Sequence, residues 1–141
     1  MRLYILVVIL EKLVYNSVSR INVVLEIKGK TKLSCQLIRH LSPQTVGHIT
    51  RSMPLIGNIH NIGQSIVYIE TSVDSGIERK RTDFKKGDIA FLPTGGCICF
   101  YIADVSNGQP MTPIGKILTN EEKLKAVKAG DILTLYSETG W

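Results

Sequence analysis

With 141 residues, 15.6 kDa, 44% hydrophobic and 21% charged residues and a net charge of +5, the chain is the size of one domain and can bury about two-thirds of its unfolded surface. The ordinary apolar fraction excludes a disordered chain, and no run approaches the ~18 uninterrupted apolar residues of a membrane span. A large multidomain enzyme is excluded by length alone.

Leu3 through Leu10 is an apolar stretch, but Glu11 and Lys12 interrupt it and Ser17-Val18-Ser19 is a poor small-x-small cleavage site, so it does not read as an export signal. Its β-branched residues Ile5, Val7, Val8 and Ile9 favour a strand or packed segment. The expectation is an apolar extension over 1–20 that packs on the domain or forms a homodimer through residues 3–15, followed by one β-rich domain over 21–141.

Ile21 to Ile27 and Thr31 to Ile38 flank Lys28-Gly29-Lys30, a hairpin pattern that puts Leu33, Cys35 and Leu37 on one face. Ser42 as N-cap and Pro43 at the first helical position open a helix, with Val46, Ile49 and Met53 as its apolar stripe and Pro54 as its stop. Gly57 and Gly63 punctuate a short extended piece holding Ile59 and Ile62, and Gln64 to Thr71 is a strong strand.

Asp74-Ser75-Gly76 is a turn. The charged run Glu78-Arg79-Lys80-Arg81 through Lys85-Lys86 is broken by Asp83 and interleaved only with Phe84, so it reads as a solvated hairpin and nucleic acid is not an expected partner. Ile89 to Leu92 is a strand ended by Pro93-Thr94-Gly95-Gly96. Cys97 to Ala103 is apolar enough to be buried on both faces.

A loop over 104–113 leads to the strand Ile114 to Leu118, whose Gly115 predicts a neighbouring side chain packed over its Cα. Thr119-Asn120 with Glu122 resembles a capping box opening a second helix. Leu124 and Val127 are its stripe, Gly130 closes it, and Ile132 to Tyr136 is the last strand. The total is a mainly β, mostly antiparallel closed barrel of about eight strands with two helices, since closure removes edge strands.

Chemistry-bearing patterns are sparse. Three cysteines, Cys35 alone and Cys97 and Cys99 as C-x-C, form neither a disulfide framework nor a zinc spacing and read as buried thiols in a reducing cytosol. His40, His48 and His60 have no motif-placed nucleophile, and neither a G-x-S-x-G nor a P-loop occurs. No cofactor or metal is expected, no membrane partner either, and the expected location is cytoplasmic.

One ordering of motifs is more informative. A hairpin precedes a helix opening Leu41-Ser42-Pro43-Gln44-Thr45-Val46, then come Gly87-Asp88-Ile89-Ala90-Phe91-Leu92-Pro93, Cys97-Ile98-Cys99-Phe100-Tyr101-Ile102 and Pro113-Ile114-Gly115-Lys116-Ile117-Leu118. Across about residues 21–136 this order resembles the cyclophilin fold, in particular small prokaryotic cyclophilin-like proteins of unassigned function. The resemblance implies peptidyl-prolyl isomerisation, but the strand that should carry the family's catalytic arginine reads Ser65-Ile66-Val67-Tyr68-Ile69-Glu70. The loop after Phe100-Tyr101-Ile102 likewise lacks the family's tryptophan and histidine.

The expectation that follows is a module binding a small molecule or an extended peptide in an apolar groove, with Tyr68, Phe91, Phe100 and Tyr101 as candidate lining residues. One alternative is an isomerase with a rebuilt site using Arg51, Arg79 or Arg81. Another is a regulatory partner of a metabolic enzyme, a setting in which cyclophilin-like domains also occur.

Overall fold

The computed structural model describes residues 19–138. The apolar extension and its dimer contact through 3–15 therefore lie outside the described residues, apart from Ser19 and Arg20 at the end of the extension.

Alternating apolar residues and a glycine turn produce the first hairpin. Strand β1 (Arg20–Ile27) pairs antiparallel with β2 (Thr31–Ile38), placing Val23 opposite Cys35 and Leu25 opposite Leu33. Gly29 supplies the left-handed turn residue at φ 75°. Helix α1 (Pro43–Ser52) follows and buries Val46, Gly47 and Ile49, ending before Pro54.

The Gly57–Gly63 piece forms two short strands, β3 (Leu55–Asn58) and β4 (His60–Ile62). Then come β5 (Ile66–Glu70), β6 (Asp88–Leu92), β7 (Cys97–Tyr101), β8 (Thr112–Ile117) and β9 (Ile132–Ser137). All pairings are antiparallel, in the order β3-β9-β1-β2-β8-β6-β7-β5-β4.

The two outermost strands, β3 and β4, are consecutive in the chain, so covalent continuity brings the sheet nearly closed. Ile59, between them, donates its N–H to Asp131 O (2.8 Å) and accepts from Gly130 N (3.0 Å). Gly57 lets β3 approach β5, since a Cβ there would stand 3.2 Å from Ile69 Cβ. The fold is the expected antiparallel barrel, with nine strands because the glycine-punctuated piece kinks at Ile59 and serves both ends.

Several local expectations are corrected. Ser42 makes no side-chain cap; its hydroxyl donates instead to Pro113 O (2.8 Å), tying the helix start to β8. The second helix is a 3-10 helix, Glu121–Ala126, and Asn120 precedes it in the left-handed region without a side-chain cap. Thr119 Oγ1 accepts from Ser34 N (3.2 Å) instead. At Gly115 the close neighbour is backbone, not a side chain: an added Cβ would meet the Gln36 carbonyl oxygen and lie 3.0 Å from Leu37 Cα. The charged run is not a hairpin; residues 71–80 carry no regular secondary structure, and the segment continues to Lys86 with isolated bridges at Arg81 and Phe84.

The interior core gathers Leu25, Leu33, Val67, Ile69, Ile98, Phe100 and Leu135. A second cluster, Ile66, Phe84, Ala90, Cys97, Cys99, Tyr101 and Met111, lies on the other face of β5, β6 and β7. Among the described residues no helix is long and apolar enough to cross a membrane.

Candidate functional site

Alternation along β7 decides which groups reach the outer face of the barrel. Ile98 and Phe100 belong to the interior, whereas Cys97, Cys99 and Tyr101 point outward. Across the neighbouring strands, His60 pairs with Tyr68, Tyr68 with Cys99, and Cys99 with Ala90. That row and the adjacent Ile66–Tyr101 pair form an apolar and aromatic surface.

Half of this surface is roofed by residues 81–84. Phe84 stacks on Tyr101 with ring centroids 4.6 Å apart and planes at 13°. The Arg81 guanidinium lies 4.5 Å from the Phe84 ring centroid, an attractive placement for a cation over a π face. Arg81 also forms a 2.9 Å ion pair with Asp88, whose carboxylate additionally accepts from Lys85 N (2.8 Å). Tyr101 is left 1% exposed, its hydroxyl facing Met111 Sδ at 3.5 Å. Burial first, then the nearby Cys99 and Asp88, push its phenol up to about 12 against the opposing charge of Arg81.

Main-chain bonds hold this roof down. Arg81 and Met111 exchange two N–H···O bonds of 3.0 Å, and Phe84 and Val105 exchange two of 2.9 Å. Upstream, the Glu78 carboxylate accepts from Gln44 N (3.1 Å), Thr45 N (2.9 Å) and Thr45 Oγ1 (3.1 Å) at the start of α1. Glu78 thus caps the helix in place of Ser42, the favourable position for an acidic group. Burial raises its carboxyl, but the Thr45 and Gln44 amides, the Thr45 hydroxyl and the Arg79 charge outweigh that and hold it below the usual range.

The four candidate residues separate. Phe91 and Phe100 lie inside the barrel with no exposed surface. Tyr101 is on the outer face beneath Phe84, and Tyr68 is on the same face, half-buried. Tyr68 stacks with the exposed His60, centroids 5.2 Å apart and planes at 25°. Its phenol stands above the ordinary tyrosine value because of burial first, then the neighbouring Cys97, Glu70 and Cys99; at neutral pH it is a hydrogen-bond donor. Leu92 and Val105 pack half-buried against the same cluster.

Of the three arginines considered, Arg81 alone stands at the aromatic surface. Arg79 is exposed, and Arg51 is an exposed residue of α1 that reaches back to Gly47. Sequence reasoning missed Phe84, His60 and Glu78. The strand register places His60 once β4 is recognised, but no local signal joins Phe84 to Tyr101.

The thiols are free and buried. Burial pushes Cys35 and Cys99 up to about 12 and raises Cys97 as well, which keeps them protonated and unreactive. Among the described residues no three His, Cys, Asp or Glu side chains converge as metal ligands would.

The profile of the Cyclophilin-like family matches residues 19–136, nearly the whole described barrel. The chain is a member of the cyclophilin-like family. The cyclophilin-like barrel is also similar to solved structures. The solution structure of the hypothetical protein AF2241 from Archaeoglobus fulgidus superposes with a TM-score of 0.70 at 19% identity, covering 84% of this chain and 95% of that one. A structure of McbB in complex with tryptophan gives a TM-score of 0.69 at 13% identity, covering 84% of this chain and 45% of McbB. At these identities the likeness is one of fold. Among curated proteins none matches the sequence.

Proposed function

We propose that this cyclophilin-like domain is a cytoplasmic binding module that receives a planar, partly apolar group, from a small molecule or an extended peptide, on the outer face at Tyr68. The observation that carries this reading is the Tyr68–His60 pair. It is an aromatic pair on neighbouring strands, with Tyr68 half-buried and His60 exposed, and with the apolar Leu92 packed against the same cluster. Strands hold such a pair more rigidly than loops do, and offset stacking on it contributes about 0.5–1.5 kcal/mol beyond area burial. The tryptophan complex of McbB makes a small aromatic molecule a sensible first probe.

The isomerase alternative has one supporting observation, the Arg81 cation at the aromatic surface. Against it, Arg81 is paired with Asp88 and Phe84 covers one face of Tyr101. A cation accelerates amide rotation only if it is free to favour the transition state over the ground state.

Titration of the full chain with L-tryptophan and with a Phe-Pro tetrapeptide, followed by protein NMR, tests the reading. Shifts centred on Tyr68 and His60 that vanish in Tyr68→Ala support it. Proline isomerisation clearly above the uncatalysed rate, abolished by Arg81→Ala, would replace it with the enzyme.

A further inference from the structure

The 3-10 helix Glu121–Ala126 carries Lys123 and Lys125. With three residues per turn, side chains two apart diverge by about 240°, and these two lysines enter different surface cavities. Lys123 lines a cavity of about 380 Å³ with Lys30 and Thr31, where the Lys30 ammonium is already bound to Asp131 at 2.7 Å. Lys125 lines a cavity of about 460 Å³ with Asn61, Gly63, Gln64, Ile102 and Ala103.

The second cavity has a distinct chemistry. It is lined by Ile102, 7% exposed and part of the interior core, and by the adjacent Ala103. The exposed Asn61, Gly63 and Gln64 of the β4–β5 connection and the exposed Lys125 complete its lining. No acidic side chain lines it, and among the described residues Lys125 has no carboxylate within 4.0 Å. One cationic, two amide and two apolar side chains lining the same cavity match a monocarboxylate with a short apolar body. A phosphate dianion calls instead for several cations or a forked arginine. The volume lies within the range of small-ligand sites, roughly 300–1,000 Å³.

We propose that this cavity at the end of the barrel is a binding site for a small aliphatic carboxylate, with Lys125 as its charge partner and Asn61 and Gln64 as orienting groups. It is separate from the Tyr68–His60 pair and stands or falls independently of it.

The test is titration of the full chain with 3-methylbutanoate, with isopentylamine and inorganic phosphate as controls, read by amide NMR. Saturable shifts of Gly63, Ala103 and the Asn61 and Gln64 side-chain amides are expected with 3-methylbutanoate alone, with Kd in about the millimolar range. Lys125→Met is expected to weaken binding roughly tenfold, whereas Lys123→Met leaves it unchanged. Because Lys125 is exposed, its replacement does not threaten the fold. Shifts that never saturate, that phosphate reproduces, or that persist in Lys125→Met overturn the proposal.

Discussion

Phe84 lies flat against Tyr101, 4.6 Å centroid to centroid, although Tyr101 belongs to β7 whereas Phe84 lies outside the named strands and is held by an isolated bridge to Val105. The contact converts what would be an open aromatic surface into a second buried cluster. It also leaves Tyr68 and His60 as the accessible aromatic groups of this surface. Phe84→Ala is therefore expected to destabilise the domain by about 3–4 kcal/mol, the usual cost of removing a buried phenylalanine. Urea denaturation measures it directly; a loss under about 1 kcal/mol would mean that the roof contributes little to folding.

Glu78 makes the second long-range tie. Its depressed carboxyl contributes stability that is fully present above its unfolded value, near 4.3, and is lost as pH falls through the lower folded value. Because the side chain is exposed, screening trims the effect, and Glu78→Gln is expected to cost only about 0.5–1 kcal/mol near neutral pH. The difference from wild type should shrink as the pH is lowered from neutral to about pH 3. Denaturation curves at both pH values check the sign; a gap that widens on acidification contradicts the assignment.

Gly115 and Gly76 form a matched pair. An alanine at Gly115 meets the backbone of Gln36 and Leu37, which cannot withdraw without parting β2 from β8, whereas nothing lies within 4 Å of a Cβ at Gly76. Gly115→Ala should lower stability by about 1–3 kcal/mol or more, and Gly76→Ala should stay within about 0.5 kcal/mol of wild type. Thermal melts of the two variants side by side decide the point.

The thiols give a chemical probe of the same architecture. Cys35 and Cys99 are fully buried, with thiols pushed up to about 12. Cys97, 6% exposed, donates weakly to Thr94 O at 3.7 Å. Alkylation of the native protein near about pH 8 should be slow at all three and should reach Cys97 first, because attack needs an accessible thiolate. Mass spectrometry of peptides after timed iodoacetamide treatment reads the order; rapid labelling of Cys35 would show that the barrel opens.

Much of the fold is legible in the sequence because its rules are local. The β1–β2 hairpin follows from two-residue alternation around Lys28-Gly29-Lys30, α1 from Pro43, Val46 and Ile49 at helical spacing, and the doubly buried β7 from an unbroken apolar run. The resemblance in motif order correctly gave the cyclophilin-like barrel.

Tertiary structure alone decided what covers the barrel and which aromatic groups remain reachable. Glu78 caps a helix 33 residues away, displacing the Ser42 cap that local spacing favours, because a carboxylate delivered by the loop can accept from two amides at once. Phe84 reads as part of a solvated charged run, yet it is buried once Arg81 and Phe84 pair with Met111 and Val105. Periodicity encodes which way a side chain points relative to its neighbours. It does not encode which distant segment crosses that face, and that path is what leaves Tyr68 open and closes Tyr101.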